Sequence, residues 1–164
     1  MKREKEMKHR AYRRLVIGDA MAVNKLQLSE LKLLMTGFYY LHIMPEVLDE
    51  VHNDYQDILL MTGQPAKLKV EQLSAVEKIN ATQMQKYGRS LTDQCAVMLA
   101  KRLKAFLFVG DPYWYSQQRK LEGIKLLYSV NQLFVSVPEG CQSARIRKTS
   151  GDFVRKSHTQ RRKQ

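Results

Sequence analysis

The sequence predicts an α/β protein: an α/β/α sandwich with a central, mostly parallel sheet and helices on both faces. Short apolar β-type runs alternate with segments of helical periodicity from Arg14 to Tyr128. Strands separated by helices pair in parallel and need both faces covered. A chain of 164 residues with 44% apolar residues can bury such a core as one compact domain.

The first half of the chain supplies two strands and three helices. Arg14–Asp19 (RLVIGD) is a short apolar strand closed by an acid, and Ala20–Leu28 has helical apolar spacing. Ser29 is a suitable N-cap for a second helix. Phe38–Met44 has strand composition, and Pro45 directly after it opens a third helix.

The second half begins with Met61–Tyr87, a polar stretch predicted to be mostly helical. Beyond it the predicted elements are a helix from Ser90, a strand at Ala105–Gly110, a helix at Pro112–Glu122, a strand at Ile124–Tyr128 and an edge strand at Gln132–Val137. The alternation therefore continues to the end of the predicted domain.

The net charge of +12 is confined to the two ends of the chain. Residues 1–14 carry seven Lys or Arg against two Glu, residues 141–164 carry eight against one Asp, and the stretch between them is neutral. We divide the chain into a basic arm (1–13), a folded domain (14–138) and a basic tail (139–164). Such ends are suited to binding a polyanion such as RNA, although solubilising ends are the alternative. The predicted phosphate contacts there are Arg13, Arg14, Arg145, Arg147 and Lys148.

Cysteine usage and hydropathy favour a reduced, cytoplasmic protein. Cys95 and Cys141 lie far apart without CxxC spacing, which argues against a disulfide scaffold or a zinc site. No apolar stretch approaches the ~20 residues that span a bilayer, and the charged N-terminal block is unlike a secretory signal. We therefore expect no membrane association.

Four acids are the candidate functional residues. Asp19 and Asp111 each follow an apolar β-run, so both are expected at the carboxyl edge of the sheet, where such folds bind ligands. Asp93 lies in the first turn of the helix that leads to Asp111, and Glu50 lies one turn after Glu46 in the helix opened by Pro45. Oxygen ligands without His or Cys suit Mg²⁺ or Mn²⁺. Taken singly, Asp93 could be a helix cap, Asp111 a turn residue and Glu50 a surface acid.

Residues near these acids have weaker signals. Asn24, about one turn past Asp19, could orient a metal-bound water. Trp114 and its tyrosine neighbours could stack on unpaired bases, with packing in the core as the alternative. Arg119 and Lys120 could contact phosphate or form a solvated helix face.

The order of these segments resembles the PIN-domain family, which includes ribonuclease toxins of toxin–antitoxin pairs. The matching pieces are LVIGDA, a P-x-V-x-x-E pattern ending at Glu50, and LTDQCAVMLAKRLKAFLFVGD. The resemblance covers about Leu15 to Leu133. It implies a PIN-like fold and a metal-dependent endoribonuclease that leaves 5′-phosphate ends. Asp19, Glu50, Asp93 and Asp111 would be its catalytic, metal-holding acids, with Mg²⁺ or Mn²⁺ as cofactor.

The resemblance also implies partners and shows two departures. RNA would be the substrate, and a small antitoxin and a homodimer are further expectations. Ala20 and Met21 follow the first acid where the family has a small polar residue, and Ser116 is the only short polar group where a further acid often stands. A catalytically degenerate PIN domain that binds nucleic acid or serves as an assembly subunit is therefore the competing hypothesis. A structure-specific DNA nuclease is a third.

Overall fold

Among the residues that it describes, the computed structural model has one five-stranded sheet in which all neighbouring strands are parallel, in the order β3-β2-β1-β4-β5. The strands are β1 (Arg14–Ile17), β2 (Tyr40–Ile43), β3 (Lys67–Val70), β4 (Phe106–Phe108) and β5 (Leu126–Leu127). The residues that the structure describes are 14–38, 40–61, 67–83, 90–118, 121 and 123–132.

Helices connect the strands in the alternation that the sequence predicts. They are α1 (Ala20–Asn24), α2 (Leu28–Gly37), α3 (Pro45–Glu50), α4 (Asn53–Leu59), α5 (Ala75–Gln83), α6 (Leu91–Leu103) and α7 (Tyr113–Gln117). Pro45 occupies the first turn of α3, and Ser90 caps α6 by accepting a hydrogen bond from the N–H of Asp93 at 3.1 Å. The predicted α/β fold with a parallel central sheet and helices is confirmed.

The sheet is covered on both faces. In β1, Leu15, Val16 and Ile17 are all fully buried, and Leu107 and Phe108 of β4 are buried to the same degree. Because successive side chains of a strand point to opposite faces, a strand without an exposed residue has packing on each side. The core of this α/β/α sandwich therefore lies in two layers around β1 and β4.

The central part of the chain differs from the prediction. Met61–Tyr87 is predicted to be mostly helical, and the helix α5 lies within it, but so does the strand β3, which pairs with β2. Its sequence KLKV alternates polar and apolar residues, and an edge strand needs only one apolar face. The predicted N-cap of α2 is also wrong. The helix begins at Leu28, before Ser29, and Gln27 forms the capping box with Glu30.

The ends of the predicted domain are only partly described. The predicted helix at Pro112–Glu122 is shorter among the described residues, where α7 ends at Gln117. Most of the predicted edge strand at Gln132–Val137 and both basic ends lie outside the described residues. Within the described part of the chain, none of the helices has the length and apolar character needed to cross a bilayer.

Candidate functional site

Asp19 is the centre of a hydrogen-bond cluster at the carboxyl edge of the sheet. Its Oδ1 accepts a hydrogen bond from the N–H of Ala22 at 2.8 Å, which makes Asp19 the N-cap of α1. The N–H of Gly110 lies 3.0 Å from Oδ1 and 3.1 Å from Oδ2. Oδ2 also accepts from the N–H of Asp111 and from Nε1 of Trp114, each at 3.0 Å. Four N–H groups from three segments therefore converge on one carboxylate, and we call this set the Asp19 cluster.

The local sequence brings these donors together. Asp19 follows β1 and Gly110 follows β4, and the two strands are paired in register, so their ends meet at one edge. A Cβ on Gly110 would lie only 2.5 Å from the backbone nitrogen of Ala22, so glycine is required for the loop after β4 to approach α1. Lys25 adds a further contact, since its Nζ donates to the carbonyl oxygen of Gly110 at 2.7 Å.

Trp114 is buried in this cluster. Its side chain has no exposed surface, its indole N–H donates to Asp19, and its ring lies edge-on to Tyr113 with 5.6 Å between centroids. The predicted role of Trp114 in contacting nucleic acid is therefore wrong for this arrangement, because a stacking residue needs an exposed ring face. Tyr115 is the exposed aromatic residue of α7.

Asn24 links α1 to the end of α3. Its Nδ2 donates to the carbonyl oxygen of Glu50 at 3.2 Å, and its Oδ1 accepts from the N–H of His52 at 2.8 Å. Both ends of the amide are thus used on the backbone that carries Glu50. Asn24 thus positions this segment, a role that differs from the orientation of a metal-bound water considered from the sequence.

The other three acids occupy different local environments. Asp111 accepts a hydrogen bond at Oδ1 from the N–H of Tyr113 at 3.0 Å, the turn role considered from the sequence. Asp93 is half-buried in the first turn of α6, and Glu50 is exposed at the end of α3. Ser116 donates through Oγ to the carbonyl oxygen of Tyr113 at 2.7 Å.

The Asp19 cluster is a poor ligand set for the metal that the PIN resemblance implies. A carboxylate offers about four lone-pair positions, and the four N–H donors on Asp19 already use that capacity. A Mg²⁺ or Mn²⁺ ion requires free oxygen lone pairs. In addition, no three His, Cys, Asp or Glu side chains among the described residues are placed to share an ion. The structure thus brings Asp19 and Asp111 together, as predicted, but does not gather the four acids into a metal pocket.

The predicted nucleic-acid contacts are only partly described. Arg14 packs over the ring of Tyr40, with 5.5 Å from its guanidinium carbon to the ring centroid. It lies at the start of β1, at the amino edge of the sheet and opposite Asp19. The remaining predicted contacts lie outside the described residues: Arg13, Arg119, Lys120, Arg145, Arg147 and Lys148.

Two buried titratable groups lie apart from the Asp19 cluster. Burial lowers the pKa of His42 on β2, although Glu71, whose Oε1 lies 2.8 Å from Nδ1, opposes that shift. Burial raises the pKa of the Cys95 thiol, and the nearby charge of Glu46 raises it further. Neither residue adds a charged group to the carboxyl edge beside Asp19.

Comparison with known proteins adds no family assignment: no family model, no curated protein and no solved structure matches this chain. The antitoxin partner and the homodimer accordingly stay predictions from the resemblance.

Proposed function

We propose that this chain is an RNA-binding protein built on a PIN-like domain, in which Asp19 stabilises the fold instead of holding a metal ion. The observation that carries this proposal is the set of four N–H donors on the Asp19 carboxylate. Hydrogen bonds from backbone N–H groups to a carboxylate stabilise a protein without any ligand. This role explains why an acid follows β1.

The charge distribution supports RNA as the partner. The chain carries +12, all of it in the two ends, while the stretch 15–140 is neutral. Basic segments bind nucleic acid by displacing counterions from phosphates, so their contribution falls steeply as the salt concentration rises. We therefore assign most of the binding free energy to the basic arm and tail and the positioning of the RNA to the folded domain.

Salt-dependent binding tests this assignment directly. The full chain and a variant with Arg145, Arg147 and Lys148 changed to Gln are titrated into labelled single-stranded RNA in EDTA, and the affinity is measured by fluorescence anisotropy at several KCl concentrations. Because each phosphate contact contributes about −0.7 to the slope of log K against log salt for single strands, the loss of three contacts should reduce that slope by about 2.

A matched variant controls for net charge alone. Lys32, Lys78 and Lys101 are exposed in the folded domain, and changing all three to Gln removes the same charge as the tail variant. The slope should change by less than half as much in this variant. An equal reduction of the slope in the two variants would show that binding depends on net charge and not on the tail.

A metal-dependent endoribonuclease is the second candidate, and the adjacency of Asp19 and Asp111 at one edge favours it. The test is cleavage of labelled RNA by the full chain with Mg²⁺ or Mn²⁺, beside a DNA flap substrate that separates an RNA nuclease from a DNA nuclease. Asp111→Asn is the informative variant, since its Oδ1 accepts one local hydrogen bond that an amide oxygen can also accept. Metal-dependent cleavage that is lost in Asp111→Asn, while RNA binding persists, would overturn the binding-only proposal.

A further inference from the structure

A stacked pair of tyrosines lies at the same edge of the sheet as Asp19. Tyr115 belongs to α7, four residues after Asp111, and Tyr128 directly follows β5. Their rings are stacked, with centroids 4.1 Å apart and 17° between the planes. Tyr115 is 59% exposed, whereas Tyr128 is half-buried. Tyr128 therefore backs one face of the Tyr115 ring while much of Tyr115 remains in solvent.

The position of this ring is set by the fold. Trp114, the preceding residue, is fully buried and bonded to Asp19, so α7 is anchored next to Tyr115. On the other side, the side-chain Oε1 of Gln132 accepts hydrogen bonds from the N–H groups of Tyr128 at 2.6 Å and Ser129 at 3.3 Å. A ring restrained in this way loses less conformational entropy when a ligand stacks on it.

We propose that Tyr115, backed by Tyr128, is a stacking platform for an unpaired base of the bound RNA. This inference rests on the proposed RNA binding and names the part of the domain that contacts the bases. Proteins that bind single strands combine positive charge with exposed aromatic rings on which bases stack. Such a ring accepts any base, because every base has a π-face.

A cleft beside the platform has the chemistry to receive neighbouring nucleotides. It has a volume of about 770 Å³ along β5, and its lining includes Gln118, Lys125, Asn131 and Gln132. Gln118 lies one helical turn beyond Tyr115, and Gln132 is bonded to the backbone of Tyr128, so the cleft adjoins the stacked pair. Side-chain amides hydrogen-bond the edges of unpaired bases, and a lysine can contact phosphate.

Substitution of Tyr115 tests the platform in the full chain. Affinity for a labelled single-stranded RNA is measured by anisotropy for the wild type, Tyr115→Ala and Tyr115→Phe. Loss of one base stack should weaken binding by about 5- to 150-fold in Tyr115→Ala, whereas Tyr115→Phe keeps the ring and should bind within about twofold of the wild type. Ile79→Ala is the matched control, since Ile79 is 58% exposed on α5, away from the pair.

An abasic oligonucleotide supplies the second measurement and does not depend on a variant. The wild type should bind RNA of the same length and charge more weakly when its bases are removed, and Tyr115→Ala should bind both forms similarly. Wild-type affinity for RNA in Tyr115→Ala would overturn the platform and leave RNA binding intact. Failure of the wild-type chain to bind any RNA would instead overturn the proposed function, and the platform with it.

Discussion

Replacing Asp19 by Asn distinguishes a structural carboxylate from a metal ligand by the sign of the change in stability. In a metal pocket without its ion, carboxylates repel one another, so neutralising one of them stabilises the fold or leaves it unchanged. In the Asp19 cluster the carboxylate accepts four N–H groups, so an amide in its place puts an N–H₂ group opposite N–H donors. We expect Asp19→Asn to be destabilising.

The size of the effect follows from the donors on each oxygen. The Asn oxygen can take the place of Oδ1 and keep the hydrogen bond from Ala22. The amide nitrogen then faces the N–H of Asp111 and the indole N–H of Trp114, which lose their acceptor. Hydrogen bonds to a charged group contribute about 1.5–3 kcal/mol each, so the loss of two costs about 3–6 kcal/mol. Because Asp19 is half-buried and water can reach it, we expect the lower end, about 3 kcal/mol.

Urea unfolding in EDTA measures this difference. Trp114 is the only tryptophan in the chain, and its indole is bonded to Asp19, so its fluorescence reports on the cluster itself. Asp111→Asn is the control, because its amide oxygen can still accept the N–H of Tyr113 and the cost should stay below about 0.5 kcal/mol. If the Asp19→Asn variant is as stable as the wild type, or more stable, the structural role of Asp19 is refuted. Equal stabilisation by both substitutions would point to a metal pocket.

Three further predictions concern residues outside the cluster. Burial lowers the pKa of His42 below its ordinary 6.5, so the unfolded chain takes up the proton first. The free energy of unfolding should therefore fall as the pH drops below about 6.5, by at most about 1.4 kcal/mol per pH unit. Above that pH, His42 should make no pH-dependent contribution. Urea titrations at several pH values measure this slope, which His42→Gln should remove. The raised pKa of Cys95 predicts slow alkylation by iodoacetamide at pH 7 in a Cys141→Ser chain, with rapid labelling after unfolding in urea. Asn24→Ala removes two hydrogen bonds to the backbone around Glu50 and should lower the free energy of unfolding by about 1–3 kcal/mol in the same urea assay. An unchanged free energy of unfolding would contradict the positioning role of Asn24.

The sheet could be predicted because its pattern is local. Apart from Arg14 at the start of β1, the residues of β1 and β4 are apolar and buried on both faces, so hydrophobicity alone identifies these strands. The strand β3 was missed because KLKV lies at an edge of the sheet, where two lysines are tolerated. The placement of Asp19 and Asp111 at one edge followed from the parallel sheet, and the structure has them side by side.

The role of Asp19 could not be predicted in the same way, because its donors are distant in sequence. Gly110, Asp111 and Trp114 lie 91, 92 and 95 residues away. Burial of a carboxylate is unfavourable unless it is bound to a metal or hydrogen-bonded. An acid after a buried strand therefore fits a metal ligand and a hydrogen-bond acceptor equally well. One local signal was available: α1 begins directly after Asp19, and aspartate is a preferred N-cap.

The Asp19 cluster and the Tyr115 platform should be coupled, because they share one short helix. Trp114 and Tyr115 are consecutive in α7, and Trp114 holds that helix against Asp19 through its indole N–H. Trp114→Phe keeps the buried ring but removes the N–H, so α7 loses a restraint and Tyr115 should stack less well on a base. A double-mutant cycle on RNA affinity tests this coupling. The loss of binding free energy in the Trp114→Phe/Tyr115→Ala double variant should be smaller than the sum of the losses in the two single variants. The difference should exceed the ~0.5 kcal/mol scatter seen for independent sites. Additive effects would mean that Trp114 supports the fold without positioning the platform.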